Sequence, residues 1–282
     1  MSEAQRFDTY IDSGKARSGL NLVELRRSKD LVYLLTKRDF VSKYKQSVLG
    51  PLWILITPIL NSVVFAFVFG TLAGLSTDGL PRILFYLTGN TLWSLFSGSV
   101  ATCANSFLQN RTLFSKVYFP RITVCVSSVL SSCINFAIQF VMLILFIVYY
   151  ALSGIHIAVT PYVFLIPMLL TQCLLLGMGV GMLLSATTIK YRDFIQMISF
   201  GMTVWMYLTP VAYPLSVSNG TINTIMLINP MTSVIQNYRF ALLGAGSFIL
   251  WPWVGSLLLT LLLSLLGLKA FRHVERTVVD TL

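Results

Sequence analysis

The side chains of this sequence that could do chemistry are aromatic and hydroxylic rather than charged. Phe65 and Phe69 share a face of one apolar run, Tyr86, Trp93 and Phe96 fall in the next, and Trp205, Tyr207 and Tyr213 lie in or after a later one. A lumen floored with rings and hydroxyls suits a sliding polyhydroxylated chain, because apolar sugar faces stack on rings while sugar hydroxyls find Ser, Thr and Tyr. No fixed charge would arrest such a chain, since the apolar runs contain no Asp, Glu, Lys or Arg. One such residue at a bilayer centre costs about 2.5–3.5 kcal/mol on insertion scales and is usually kept for ion or proton coupling. Its absence argues against a proton- or sodium-driven carrier.

Other chemistry is missing too. The sequence has no Gly-x-x-x-x-Gly-Lys-Ser/Thr phosphate cradle, no carboxylate pair placed for acid–base work and no nucleophile beside a base. No catalytic residue, metal ligand or cofactor of its own is therefore expected. His156 in an outer turn and His273 in the basic tail read as solvated residues. Cys103, Cys125, Cys133 and Cys173 all fall in apolar segments without paired ligand spacing, and read as small buried hydrophobes rather than a disulfide or zinc site. Gly177-Met178-Gly179-Val180-Gly181 superficially resembles a nucleotide loop but lies mid-span, where glycines four apart let membrane helices approach closely. Ser94 and Gly98 repeat that spacing.

The elements that must position these residues are helices in a bilayer. Charged residues make up 11% of the 282 and hydrophobic ones 56%, whereas a soluble domain would be roughly a quarter charged. The net charge of +10 sits at the ends of apolar runs, where topology and anionic lipid account for it, so no nucleic-acid partner is expected. The expected fold class is an all-α integral membrane protein with six transmembrane helices. Residues 1–50 form a cytoplasmic arm and amphipathic interface helix, and residues 51–282 the transmembrane domain.

Between Asn21 and Gln46 apolar residues recur among Arg26, Arg27, Lys29, Lys37, Arg38, Lys43 and Lys45, which suits a helix lying in the interface with its cationic side chains snorkelling. Pro51 then fits a helix start and Trp53 the headgroup boundary. Spans are expected at about 52–72, 83–108, 122–151, 161–186, 194–212 and 249–268, with Pro58 as a kink and Asn61 as a polar contact in the first. The 45 uncharged residues from Phe194 to Tyr238 are too long for one crossing and too polar in the middle. They read as a fifth span followed by a re-entrant pair around Ile222–Leu227 and Met231–Ala241. An even number of spans puts both termini on one side, and eighteen of the twenty Lys and Arg fall there, leaving Arg82 and Arg239 outside. Both termini are therefore expected in the cytoplasm.

Several stretches together resemble the membrane subunit of bacterial polysaccharide exporters of the ABC-2 class, the permeases for O-antigen, capsule and teichoic acid. They are Arg38-Asp39 with Tyr44 through Trp53, Lys116-Val117-Tyr118-Phe119-Pro120-Arg121, Leu184-Ser185-Ala186 with Tyr191-Arg192-Asp193, Leu208-Thr209-Pro210-Val211-Ala212-Tyr213-Pro214, and Ile228-Asn229-Pro230-Met231, spread in consistent order over about residues 30 to 245. The resemblance implies a homodimer in the bacterial inner membrane with two copies of a cytoplasmic ATPase, which carries ATP and Mg. The substrate would be a lipid-linked polysaccharide, O-antigen foremost. Asn110–Phe119 would be the coupling helix, with Leu113, Phe114, Val117 and Tyr118 as apolar anchors and Lys116 as a rim charge. Arg38, Lys43 and Lys45 would lie near the cytoplasmic mouth, holding a pyrophosphate head or contacting anionic lipid. Phe65, Phe69, Tyr86, Trp93, Trp205 and Tyr207 are the channel aromatics. Asn229-Pro230 would mark the turn between outer gate helices. Two other readings are an ABC-2 exporter of a small lipid or drug and a membrane enzyme acting on lipid-linked sugars; the second would need intramembrane carboxylates or metal ligands, which the sequence does not display.

Overall fold

The computed structural model describes residues 28–45, 47–114, 119–189, 191, 193–217 and 220–279. Among the described residues the chain is all helix and turn. Helix α1 (Lys29–Tyr44) precedes the membrane segments, with Asp30 in its first turn and Lys43 in its last, each opposing the helix dipole end beside it. It buries Val32, Leu35 and Thr36. The Thr36 hydroxyl donates to Ser127 O at 3.3 Å, and the Tyr44 hydroxyl to Asn135 Oδ1 at 3.2 Å. Burial raises the Tyr44 pKa above its ordinary value, against the lowering effect of the Asn135 bond, so the phenol remains a donor.

The first membrane segment is continuous over Gly50–Leu72. A tight turn at Gly50–Leu52 leads into α2 (Trp53–Phe65), which unwinds into a π-helical stretch, Ala66–Leu72. Pro58 lies inside α2 and has no N–H to offer the Ile54 carbonyl one turn back. That carbonyl accepts instead from Gln139 Nε2 at 3.2 Å, as a lipid-embedded break requires.

Helix α3 (Arg82–Ala104) is the central post, with sixteen of its 23 residues buried. The hydroxyls of Thr88, Thr91 and Ser99 fold back onto its own carbonyls at Leu84, Thr88 and Leu95, so these three can be covered without being stranded. The chain turns at Asn105 into two short helices, α4 (Ser106–Gln109) and α5 (Arg111–Phe114), where the expected span ran on to 108. Helix α6 (Ile122–Leu152) has 31 residues, roughly 46 Å at 1.5 Å per residue, well beyond a hydrocarbon core of about 30 Å. Pro161–Leu165 then leads into α7 (Ile166–Thr188).

Helix α7 packs between α3 and α11 (Leu250–Val279), and the glycine run anticipated as a packing device lies at both contacts. A Cβ on Gly181 would stand 2.6 Å from Cys103 Cβ and 2.9 Å from Val100 O, one on Gly177 2.8 Å from Ser99 Cβ, and one on Gly179 2.7 Å from Ser264 Cα. The bare backbones are in contact, which only glycine permits. Cys103, Cys125 and Cys173 are buried and Cys133 half-buried, as their apolar settings led one to expect.

Helix α8 (Phe194–Tyr207) stops after 14 residues, about 21 Å, rather than running to 212. Pro210 sets the limit, because a residue before proline is disfavoured in the α region. The chain then forms the anticipated helical pair, α9 (Thr221–Ile228) and α10 (Pro230–Leu243). Asn229 caps α10, Pro230 opens it, and Gly244 closes it with φ of 68°. Thirteen of the 14 residues of α10 are buried. Among the described residues four helical stretches are long and apolar enough to cross a membrane: Gly50–Leu72, Ile122–Leu152, Pro161–Thr188 and Leu250–Val274. With its exposed apolar faces, including Val63, Val64 and Phe67 on the first segment and Met197, Phe200 and Val204 on α8, the bundle is that of a multi-pass membrane protein.

Candidate translocation site

A cleft of about 330 Å³ opens where the end of α1 meets α2, α3 and α6. Its polar lining is dense: the amides of Asn61, Asn90, Asn135 and Gln139 and the hydroxyls of Tyr44, Thr57, Ser94 and Ser97. The indoles of Trp53 and Trp93 stand among them, and Lys43 is the only lining residue with a formal charge. Helical spacing aligns these groups. Thr57 and Asn61 are four residues apart on α2, as are Asn135 and Gln139 on α6, while Asn90, Ser94 and Ser97 succeed one another along α3. Gln139 Nε2 lies 3.4 Å from Ser94 Oγ, and Asn90 Nδ2 donates to Ser62 Oγ at 3.0 Å. Gln139 Oε1 is buried without a partner. A buried amide oxygen without a partner is costly in an apolar setting, and this one belongs to a residue lining a cleft that a hydroxyl-bearing ligand can fill.

The expected site residues divide among several places. Lys43 and Trp93 line the cleft. Arg38 does not: it pairs with Asp39 Oδ1 at 2.7 Å and donates to Asn110 Oδ1 at 2.6 Å, tying α1 to the turn before α5. Lys45 is exposed and outside the cleft. The six aromatics form two clusters. Phe65 is the hub of one, with ring centroids 5.5 Å from Phe69, 6.0 Å from Tyr86 and 6.4 Å from Tyr207. Trp93 and Trp205, 6.4 Å apart, form the other with Phe96. Phe65, Tyr86 and Trp93 are largely buried within the chain, while Tyr207 is exposed.

Asn229 joins three elements. Its Oδ1 accepts from Trp205 Nε1 and Met231 N, each at 3.1 Å, and its Nδ2 donates to Thr209 Oγ1 at 2.8 Å and Leu208 O at 3.2 Å. The Pro230 carbonyl accepts from Ser256 Oγ, which accepts from Gln172 Nε2; Gln172 Oε1 accepts from Trp253 Nε1. Asn229→Ala is expected to lower stability by roughly 2–3 kcal/mol, combining a lost helix cap with the stranded Trp205 N–H. Asn229→Asp, which keeps the acceptor, should fall between Ala and wild type in thermal unfolding in detergent.

In the segment expected to be the coupling helix, Leu113 and Phe114 are half-buried, and the Phe114 ring lies 5.6 Å from Phe107 and 5.7 Å from Phe119 with Arg121 over it. Lys116, Val117 and Tyr118 lie outside the described residues. Two functional features escaped the sequence reading. The first is the amide ladder of Asn90, Asn135 and Gln139, whose signal was its presence within apolar runs. The second is the full burial of Arg239. Its guanidinium carbon lies 3.7 Å from the Phe85 ring centroid and Nη2 donates to Pro210 O at 3.1 Å, while Nε and Nη1 have no partner.

The apolar helical bundle is that of a membrane protein, and the chain belongs to the ABC-2 type transporter family, whose profile it matches over residues 30–243. It is 30% identical over 219 residues to the O-antigen export system permease protein RfbA of Myxococcus xanthus, covering 77% of this chain and 81% of that one. It is 24% identical over 247 residues to the protein of the same name from Klebsiella pneumoniae, covering 87% and 92%.

Proposed function

We propose that this chain is the transmembrane subunit of an ATP-driven exporter that carries a lipid-linked polysaccharide, of the O-antigen class, from the bacterial cytoplasm across the inner membrane. The observation that carries this reading is the lining of the cleft among the described residues: four amides, four hydroxyls and two indoles with no carboxylate. Such a wall offers hydrogen bonds in both directions and flat apolar faces without a fixed negative charge. Lys43 at its edge is suited to the diphosphate that links glycan to lipid. The relatives named as O-antigen export permeases support the substrate class.

The working unit in this reading is a homodimer with two cytoplasmic ATPase subunits, which hold ATP and Mg²⁺. Six segments cross the membrane, α3 and α8 joining the four long ones, with both termini in the cytoplasm and α9–α10 forming the outer gate. ATP-driven closure of the partner pushes on Asn110–Phe119. The bond from Arg38 to Asn110 gives that push a direct route to α1 and so to the mouth beside Lys43. The exposed faces of α2 and α8 are the natural surfaces for the second copy, and the glycan advances between them.

Deleting the gene from a strain with surface polysaccharide should abolish its display and leave lipid-linked polymer inside the cell. Wild type supplied in trans should restore display, and Trp93→Ala with Lys43→Ala should not. Full surface display in the deletion strain would refute the reading.

A further inference from the structure

We infer a second carbohydrate-binding site at the end of the bundle opposite α1, in a pocket of about 490 Å³ beneath α9 and α10, whose ligand is a neutral sugar unit of the glycan leaving the gate. This rests on the export reading above. The volume falls within the range of small-molecule sites, about 300–1,000 Å³. The pocket takes polar groups from four stretches distant in sequence: Asp78, Ser216, Asn223, Gln236 and Ser247.

Three observations mark it as a built site. Gln236 is 3% exposed, and its Oε1 is buried without a partner, although a buried amide is normally satisfied. Gly246, with φ of 79°, is needed for that arrangement, because a Cβ there would collide with Gln236 Nε2. Asp78 is the one non-glycine residue among those described with positive φ, at 50°. Its backbone N–H donates to Ser76 Oγ at 3.2 Å, and its Oδ1 accepts from Ser216 Oγ at 2.7 Å. Left-handed backbone at a residue with a side chain persists where its surroundings impose it, and such residues cluster at ligand sites.

The chemistry selects the ligand. A carboxylate and two planar amides present the paired donors and acceptors that adjacent sugar hydroxyls require. Leu227 and Ile249 supply an apolar wall for the C–H face of a ring. Among the described lining residues the one formal charge is the negative Asp78, which disfavours a phosphate or other anion. The lipid diphosphate thus belongs at the opposite end, beside Lys43, and the uncharged repeat units here.

The test is saturation-transfer NMR on the full-length permease in lipid nanodiscs, with oligosaccharides released by mild acid from the host strain's own surface polysaccharide as the probe. Wild type should transfer saturation to the sugar-ring protons, and Gln236→Leu and Asp78→Ala should each weaken binding about tenfold. Asn223→Ala, at the rim, should weaken it less, and all three must elute as wild type does. Undiminished transfer in both Gln236→Leu and Asp78→Ala, or transfer lost only in Trp93→Ala, would overturn the proposal. No transfer from wild type in a permease whose deletion abolishes surface glycan would remove this site alone; surface glycan persisting in the deletion strain would remove the export reading and this site with it.

Discussion

Gly181→Leu is expected to leave almost no folded permease in the membrane. Even the first carbon of the new side chain would sit 2.6 Å from Cys103 Cβ and 2.9 Å from the Val100 carbonyl oxygen. Because one of those atoms is backbone, no rotamer change relieves the overlap, and α3 and α7 must separate. Overpacking in cores typically costs 1–3 kcal/mol and more where nothing can yield. Inside a bilayer the loss is not offset by hydrophobic burial, since lipid tails solvate the parted faces as well as the helices did, and close packing is what holds the pair. A cost of at least about 3 kcal/mol, more than a hundredfold in the folding equilibrium, should appear as loss of the monodisperse peak in size-exclusion chromatography in mild detergent. Gly255→Leu is the matched control, because a Cβ on that α11 glycine meets nothing within 4 Å. Equal monodispersity of the two variants would refute the packing account.

The second large effect is a pair of opposite signs at Arg239. Its guanidinium is removed from solvent with one hydrogen bond and one ring face for compensation. The penalty for burying an ion runs to several kcal/mol, whereas a desolvated cation–π contact returns about 2 kcal/mol. Arg239→Met fills similar space without the charge, so its unfolding temperature should equal or exceed that of wild type, by analogy with buried ion pairs whose hydrophobic replacement gains about 1–4 kcal/mol. Arg239→Ala removes the volume and leaves a void against Phe85, which should place it about 2 kcal/mol or more below Met. An arginine that costs stability implies a role elsewhere. Its bond to Pro210 O pins the break after α8 to α10, so export should fall in Arg239→Met even as its unfolding temperature holds. A Met variant as unstable as Ala would mean that the guanidinium is a net stabiliser.

Both effects arise from contacts between segments far apart in the chain, which locates the limit of sequence reading here. The glycine run at 177–181 could be recognised as a packing surface because its spacing is local, but nothing in it names Cys103 and Ser264 as the atoms it meets. Pro210 was noted only within a family motif, and the expected span ran through it to 212; α8 stops at Tyr207 by a local steric rule that the apolar run masks. Pro58 was legible as a kink; that Gln139 would answer the freed Ile54 carbonyl was not. The channel aromatics were collected by type, and the chain sorts them into two clusters, one around Phe65 and one around Trp93, with several rings packed inside the protomer.

Sequence alone determined what depends on the solvent. A chain 11% charged and 56% hydrophobic, with its apolar residues in long runs, suits helices in a bilayer, where a helix satisfies every backbone group within its own segment. Only the tertiary structure decided which polar side chains meet. Amides on three helices converge on one cleft, an arginine of α10 is buried against the Phe85 ring of α3, and a glutamine beside a pocket keeps an unpartnered oxygen. Those outcomes are fixed by how bare helix faces dock, and van der Waals fit between distant segments leaves no periodic trace in the sequence.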